Sequence, residues 1–334
     1  MPKVSVNIPV YNGEKTIEAA IKSILAQTWT DFELLIVNDC SKDATAILIN
    51  QFSDPRIRVI HHEQNQGISR TRNTLLSHSS GKYIAVLDAD DLAKPDRLQK
   101  QLDLLEKHPE LDGVFSWTEQ FSGTEPDQQC PKYAPKFTKD QMREVILFEN
   151  PLIHSAGFLK KEIMGEGYRV DLGCAEDYAK WLELIFGQKQ FAIIQEPLTY
   201  SWVHTPTHYS REKMKRFVQE LQLGYFEKAL NRPMTEEEQK AQWSLYETSE
   251  ISPETQTEAI QILLSAKKWI QTLEASKNIS LKLDHDLWIK FAKMKYYGLC
   301  MHLLPILKMR VLAYSTQLNL EQQSKLLIKS FGHY

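Results

Sequence analysis

Three carboxylates stand within four residues at positions 88–91, directly after the apolar run 83–87. Asp88, Asp90 and Asp91 repel one another when they are all ionised at one strand end. Their oxygens are hard ligands that suit Mg²⁺ or Mn²⁺, ions that keep waters and also take phosphate oxygens from a substrate. The structural alternative is a solvated acidic turn in which Asp91 caps the next helix. We favour a site for metal and phosphate at residues 88–90, with Asp91 as the cap.

Two other polar clusters follow apolar runs earlier in the chain. Residues 9–13 follow the first of these runs, and residues 38–43 follow the second. In sheets of parallel strands, ligands bind at the carboxyl ends of the strands. Because all three clusters lie at predicted strand ends of one sheet, we interpret them together as one binding site.

The elements that must position these clusters are short β-rich runs alternating with helical patterns. In the first helical pattern, apolar residues recur at helical spacing at Ile17, Ala20, Ile21, Ile24 and Leu25. Such alternation with short connections predicts an α/β fold with a mostly parallel central sheet and helices on both faces. The predicted strands are 4–10, 32–37, 57–60, 83–87 and 114–117, and the predicted helices are 14–27, 44–52, 68–79 and 95–107.

Composition excludes several protein classes. The 334 residues are 42% hydrophobic and carry a net charge of −3, so the chain is neither disordered nor fibrous, and no basic field attracts nucleic acid. The four cysteines are widely spaced, which argues against a disulfide scaffold or structural zinc. With no apolar leader pattern at the N-terminus, we expect a cytoplasmic protein.

A change in charge near Ser210 predicts two domains, 1–210 and 211–334. The first range has a charge balance of −7 and the second +4. The second reads as α-helical, with a capping box at Thr235 and Glu238 and an N-cap at Ser252. Its basic, aromatic helices could form a homo-oligomer, dock a carrier or lie on the inner face of a membrane. An ordinary helical core with a solvated lysine face is the alternative.

Ordered motifs over about the first 205 residues resemble the family 2 glycosyltransferases, especially bacterial enzymes of surface-glycan or glycoprotein synthesis. The resemblance implies the GT-A nucleotide-sugar-binding fold and inverting sugar transfer, and it leaves out roughly the last 120 residues. The matching motifs are Val6–Asn12, Leu25–Trp29, Phe32–Asp39, Asn65–Gly67, Arg72–Asn73, Gly81–Asp91, Pro95–Leu98 and Ala175–Trp181.

The resemblance implies how a UDP-sugar donor binds. Pro9 and Tyr11 correspond to residues that wall the uracil pocket, although Tyr11 could simply pack at a strand end. Asp39 corresponds to the carboxylate that accepts a hydrogen bond from uracil N3–H; its alternative role is a cap on the helix at Ala44. Family members usually carry glycine or asparagine where this chain has Cys40.

The residues 88–90 match the family's DxD motif. The resemblance implies that Asp90 binds Mn²⁺ or Mg²⁺ directly, and that Asp88, with Ala89 between them, contacts the ribose or the water shell of the metal. Arg72 is implied to contact the nucleotide or Asp90, with a surface arginine as an equal alternative. His204 lies near the position of a histidine that touches the diphosphate or metal in related enzymes.

The same resemblance implies a general base, which an inverting transfer needs to take the proton of the acceptor hydroxyl. Asp177 corresponds to that base, and Glu176 precedes it at the start of a predicted helix. A carboxylate that merely complements the helix dipole is the alternative. We also predict acceptor contacts from Glu176, His154 and Trp202, although His154 could be a structural histidine and Trp202 could pack in the core.

Two functions stay open at this point. The first is a metal-dependent inverting glycosyltransferase that moves a hexosyl or N-acetylhexosaminyl group from a UDP-sugar to a glycan acceptor on a protein or lipid carrier. The second is a non-catalytic scaffold protein that binds nucleotide sugars. The joint presence of Asp39, Asp88, Asp90 and Asp177 favours the enzyme. The sugar and the acceptor depend on loop shape, which sequence patterns do not reveal.

Overall fold

The computed structural model describes residues 2–121, 132–133, 141–148, 150–202, 208–246, 251–276 and 284–307. These residues fall into two compact units. The first lies within Met1–Met142 and Asn150–Val218, and the second within Arg143–Glu149 and Gln219–Tyr334. The composition change at Ser210 therefore lies inside helix α7 (His208–Leu230), a few residues before the point where the first unit ends.

The first unit is built on a sheet that has nine strands in the described residues, in the order β3-β2-β1-β4-β8-β6-β9-β5, with β7 paired to β6. The long pairings (β1 with β2 and β4, β2 with β3, β6 with β9) are parallel, and the short pairings are antiparallel. This arrangement confirms the predicted α/β architecture with a mostly parallel sheet. The strands are β1 Val4–Val10, β2 Phe32–Asn38, β3 Ile57–His61, β4 Tyr83–Val86, β5 Leu92–Ala93, β6 Gly113–Phe121, β7 Lys132–Tyr133, β8 Phe158–Lys160 and β9 Phe191–Trp202.

The helices of the first unit cover a sheet whose central strands are buried. Every residue of β1 and β2 is buried, as expected for parallel strands covered on both faces. On one face, the residues of α1 that show helical spacing in the sequence pack with Val4, Val6 and Ile8. The helices of this unit are α1 Ile17–Leu25, α2 Thr45–Ile49, α3 Ile68–His78, α4 Arg97–Lys107, α6 Glu176–Phe186 and the first part of α7. The short α5 Met142–Val145 has its first residue in this unit and the other three in the second.

The second unit is helical, with α8 Glu236–Tyr246, α9 Gln256–Ala275 and α10 His285–Leu307 following the end of α7. Trp269 is buried there and donates from Nε1 to Gln242 Oε1 at 2.9 Å. The predicted capping box is confirmed, since the Thr235 and Glu238 side chains each accept from the other's backbone N–H. The predicted N-cap at Ser252 is wrong, because Thr255 caps α9 with a capping box of its own. Among the described residues, no helix is both long and apolar enough to cross a membrane.

Candidate active site

A cleft of about 880 Å³ opens where the predicted clusters meet. Because β2, β1 and β4 are adjacent and parallel, the segments that follow them all begin at the carboxyl edge of the sheet. The predicted site residues that line the cleft are Pro9, Tyr11, Arg72, Asp88, Ala89, Asp90 and Trp202. Asp39, His154, Glu176 and Asp177 are not part of this lining, and His204 lies outside the described residues.

The loops after β1 and β2 are tied together by hydrogen bonds between side chains and backbone. Asn12 donates its N–H to Ser41 Oγ at 2.9 Å, and its own Oδ1 accepts from the Lys42 N–H at 2.8 Å. Gly13 donates its N–H to Thr45 Oγ1 at 2.8 Å. These bonds satisfy polar groups of both loops and hold the cleft wall near Tyr11, which is 50% exposed.

Cys40 occupies a backbone conformation that rarely suits its residue type. Its φ is 61°, in the left-handed region that glycine and asparagine tolerate best. The family pattern of glycine or asparagine at this position therefore has a conformational reason. In this chain a cysteine adopts the left-handed conformation, and its Sγ accepts from Lys42 Nζ at 3.1 Å.

Asp39 is buried behind the cleft wall and organises a loop. Its Oδ1 pairs with His62 Nδ1 at 2.7 Å and accepts from the Gln66 N–H at 2.9 Å, while Oδ2 accepts from the Gly67 N–H at 2.8 Å. The helix-cap alternative is wrong, because Ala44 is the N-cap residue of α2 and has no side-chain cap. The predicted contact to uracil stays a prediction, and of the roughly four lone-pair sites of the carboxylate one, on Oδ2, is left for it.

Arg72 is buried and holds two carboxylates. Nη2 donates to Asp88 Oδ1 at 2.8 Å, and Nη1 donates to Glu176 Oε1. The surface alternative for Arg72 is therefore wrong, and its partner in the DxD motif is Asp88. Burial alone would raise the pKa of Asp88, but the Arg72 guanidinium, together with the neighbouring His154 ring, outweighs burial and holds that pKa far below its usual range. Asp88 is therefore ionised across the physiological pH range.

His154 lies beneath Asp88 and is 5% exposed. Its Nε2 is 3.0 Å from the Tyr168 hydroxyl, and its Nδ1 is 3.6 Å from Asp88 Oδ1. The histidine for which the sequence predicts an acceptor contact is therefore buried next to Asp88. Its contact with the acceptor stays a prediction. Tyr168 was not found by sequence reasoning, because it lies in a loop with no periodic pattern.

Asp91 is buried and does not cap a helix. The N-cap residue of α4 is Asp96, which corrects the role predicted for Asp91. Asp91 Oδ1 accepts from the backbone N–H of Trp202 at 2.8 Å, which fastens the end of β9 to the DxD turn. Burial raises the pKa of Asp91 to about 7, with a further contribution from the charges of Asp88 and Asp90.

The residue two positions before the predicted base has a strained backbone conformation. Ala175 is the N-cap residue of α6 and has φ 60°, a left-handed conformation that is uncommon for alanine. The turn directs Glu176 inward to Arg72 and leaves the next residue, Asp177, partly exposed. Both carboxylates lie in the first turn of α6, where the helix dipole favours negative charge.

Comparison with known proteins decides the family. A model of glycosyl transferase family 2 matches residues 5–165. An uncharacterized glycosyltransferase of Methanocaldococcus jannaschii is 33% identical over 222 residues, which are 64% of this chain and 76% of the relative. The chain belongs to glycosyl transferase family 2. The family resemblance predicted from the sequence is thereby confirmed, and with it the assignment as a glycosyltransferase.

Other relatives of this family 2 chain have named activities. The UDP-Glc:alpha-D-GlcNAc-diphosphoundecaprenol beta-1,3-glucosyltransferase WfgD of Escherichia coli is 41% identical over 105 residues, 31% of this chain and 42% of that enzyme. The putative glycosyltransferase EpsE of Bacillus subtilis is 42% identical over 110 residues, 32% of this chain and 40% of EpsE. The chain thus spans about two fifths of each of these two relatives.

A solved structure has the same fold. TarS 1-349 of S. aureus, determined in complex with UDP-GlcNAc, superimposes with a TM-score of 0.58 at 18% identity and covers 91% of each chain. At this identity the likeness concerns the fold alone, and it confirms the predicted GT-A architecture.

Proposed function

We propose that this chain is a metal-dependent inverting glycosyltransferase that moves a sugar from a UDP-sugar to a glycan acceptor on a lipid or protein carrier. The observation that carries the proposal is the convergence of Pro9, Tyr11, Asp88 and Asp90 on one cleft, which is large enough for a nucleotide sugar. The similarity to WfgD supports a UDP-sugar donor and a lipid-linked acceptor, because the name of that enzyme states both.

In this proposal the wall after β1 binds the base. Tyr11 is half exposed at the cleft and offers a ring face on which uracil can stack. Asp39 holds the neighbouring loop at Gln66 and Gly67 and would accept from uracil N3–H with its remaining capacity. A cytosine would face this carboxylate with an acceptor in place of a donor, so it would bind less well.

In this proposal the DxD residues bind a divalent cation whose coordination sphere is completed by the donor diphosphate and by water. Within the described residues, no group of three or more His, Cys, Asp or Glu side chains could hold a metal without further ligands. Mg²⁺ and Mn²⁺ sites of nucleotide enzymes combine one or two carboxylates with phosphate oxygens and waters. Asp90 and, through water, Asp88 would supply those carboxylates, and the bound ion would offset the charge of the departing diphosphate. His204 is a further proposed ligand.

Asp177 is the proposed general base. The buried pair of Arg72 and Glu176 joins the start of α6 to the DxD turn, which supports a role at the acceptor for the carboxylate that follows Glu176. Asp177 is partly exposed and can meet an acceptor hydroxyl, whereas Glu176 is already engaged by Arg72. We propose that Asp177 takes the proton of that hydroxyl as it attacks the anomeric carbon.

A donor screen tests this function. UDP release is measured with Mn²⁺ and a mixture of lipid-linked and soluble glycan acceptors for UDP-Glc, UDP-Gal, UDP-GlcNAc and UDP-GalNAc. Release that depends on both one donor and one acceptor supports the proposal. If UDP binds but no combination turns over, while a known family 2 enzyme assayed in parallel does, the scaffold function replaces the enzyme.

A further inference from the structure

The hydrogen-bond ladder between β4 and β8 is extended by a side chain beyond the strands. Val86 donates its N–H to Gly157 O at 3.1 Å, and two residues later Asp88 donates its N–H to Ser155 Oγ at 2.9 Å. Between these points the partner segment turns into a 3₁₀ helix, His154–Ala156. The hydroxyl of Ser155 thus takes the place that a backbone carbonyl would have in a longer ladder, because the backbone has turned away.

The same short turn contacts the first aspartate of the DxD motif, Asp88. His154 lies 3.6 Å from the carboxylate of Asp88, and the backbone O of Asp88 accepts from the Asp91 N–H at 3.1 Å. Asp91 in turn accepts from the backbone N–H of Trp202, a residue of the cleft wall. Ser155 itself is 1% exposed and does not line the cleft. One buried hydroxyl is therefore linked to Asp88 and, through the bonds of Asp88 with Asp91 and of Asp91 with Trp202, to the end of β9.

We propose that Ser155 is a positioning residue of the donor site, which holds the DxD backbone at Asp88 so that Asp90 and Trp202 keep one geometry. This inference rests on the proposed function, in which that turn binds the donor diphosphate with a divalent cation. Residues that orient metal-binding groups from behind affect affinity strongly, and their loss typically weakens metal binding or activity by about 10–100-fold.

The chain offers a matched control at the opposite end of the same sheet. Ser5 is also buried, and its Oγ accepts from the Gly81 N–H at 2.8 Å and donates to Glu33 Oε1 at 2.6 Å. It therefore accepts from a backbone N–H as Ser155 does. Ser5 lies near the start of β1, whereas the cleft lies at the strand's other end.

The experiment compares the full-length wild type with Ser155→Ala, Ser155→Cys and Ser5→Ala. UDP is titrated calorimetrically into each protein with saturating Mn²⁺, and thermal melts are recorded without ligand. Both alanine variants should lower Tm by several degrees. Only the Ser155 variants should weaken UDP binding, by about 10–100-fold, while Ser5→Ala should stay within about twofold because distant sites act independently.

Each outcome decides the matter. Ser155→Cys keeps the side-chain size with a weakly accepting sulfur, so it replaces Ser155→Ala if the latter does not fold. Wild-type UDP affinity in the folded Ser155 variants, or equal weakening by Ser5→Ala, would overturn the positioning role. Absence of UDP binding by the wild type in Mn²⁺ would instead overturn the proposed function on which the inference rests.

Discussion

Arg72 forms a buried ion pair with Glu176, a residue 104 positions further along the chain. The other arm of the same guanidinium holds Asp88. The side chain of Arg72 in α3 therefore connects the DxD turn to Glu176, the first residue of α6. The proposed base, Asp177, is the next residue. Removing one partner of such a pair leaves a buried charge incompletely compensated.

Glu176→Gln should therefore lower the free energy of unfolding by on the order of 2 kcal/mol, less than a full deletion because the amide oxygen still accepts from Arg72. Urea unfolding at pH 7 measures the change. The control is Glu18→Gln, whose partner Lys22 sits on the exposed face of α1 and whose loss should change stability by about 0.5 kcal/mol or less. Equal effects of the two substitutions would show that the Arg72 pair adds no stability beyond an exposed one.

Asp177→Asn should lower transfer by about 10²–10⁴-fold, because the amide cannot take the acceptor proton. UDP affinity should be unchanged, since Asp177 is not part of the cleft lining. Stability should fall by about 1 kcal/mol or less, the contribution expected from a carboxylate in the first turn of a helix. Single-turnover transfer, UDP calorimetry and urea unfolding measure the three quantities.

Asp171→Asn is the matched control for the proposed base. Asp171 lies six residues before Asp177, in the segment that precedes α6. It is exposed and pairs with Arg169. Its amide variant should transfer sugar at the wild-type rate. Near wild-type transfer by Asp177→Asn would remove Asp177 from the mechanism.

Asp90→Ala should reduce turnover by about 10²–10³-fold, the usual effect of losing one preorganised electrostatic group. EDTA should reduce wild-type turnover in the same way, and Mn²⁺ should tighten UDP binding by the wild type but not by Asp90→Ala. Asp96→Ala, a helix N-cap residue paired with Lys100, is the control and should keep the response to Mn²⁺. Full wild-type activity in EDTA would contradict metal dependence.

Glu33 should make stability depend on pH in the acid range. Burial alone would raise its pKa, but hydrogen bonds from Ser5, Ser80 and Arg58 lower it from 4.5 to about 2. A carboxylate with a lowered folded-state pKa stabilises the fold above its unfolded pKa, and that contribution is lost as pH falls from about 4.5 towards 2. The shift corresponds to at most about 3 kcal/mol, less any screening at the half-exposed Arg58.

Glu33→Gln tests this dependence. At pH 7 the variant should be less stable than the wild type, and the difference should shrink steadily between pH 5 and pH 2.5, as followed by urea unfolding. A difference that stays constant over this range would show that the hydrogen bonds of Glu33 matter for their geometry and not for its charge.

Cys40→Gly should stabilise the protein, because glycine adopts φ 61° without the steric penalty of a Cβ. An L-residue in this region typically loses about 1–2 kcal/mol, and part of the gain is offset by the larger entropy of an unfolded glycine. Cys40→Ala removes the same thiol and keeps the Cβ, so the difference between the two variants isolates the backbone term. If Cys40→Gly unfolds at no higher temperature than Cys40→Ala, the strain is absent in solution.

The sequence alone determined the local part of this protein. Apolar runs with strand or helix periodicity predicted β1 to β4 and α1 to α4 to within a few residues, because burial on one or two faces sets that periodicity. The predicted cluster of strand ends followed from the rule that parallel strands share a carboxyl edge, and Pro9, Tyr11, Asp88 and Asp90 do share one cleft. The strands β5, β7 and β8 were not predicted, since two or three residues carry no period, and the longer β9 was not predicted either.

Only the tertiary structure decided which polar residue meets which. Arg72 could have been a surface residue by its helical position, but it is buried and pairs with Glu176, which the chain brings close by its return through α6. Asp91 and Ser155 carry no signal in a one-dimensional pattern, because their partners are a backbone N–H of β9 and a backbone N–H after β4. A buried polar group needs a partner, but which distant segment supplies it is set by how the sheet is ordered.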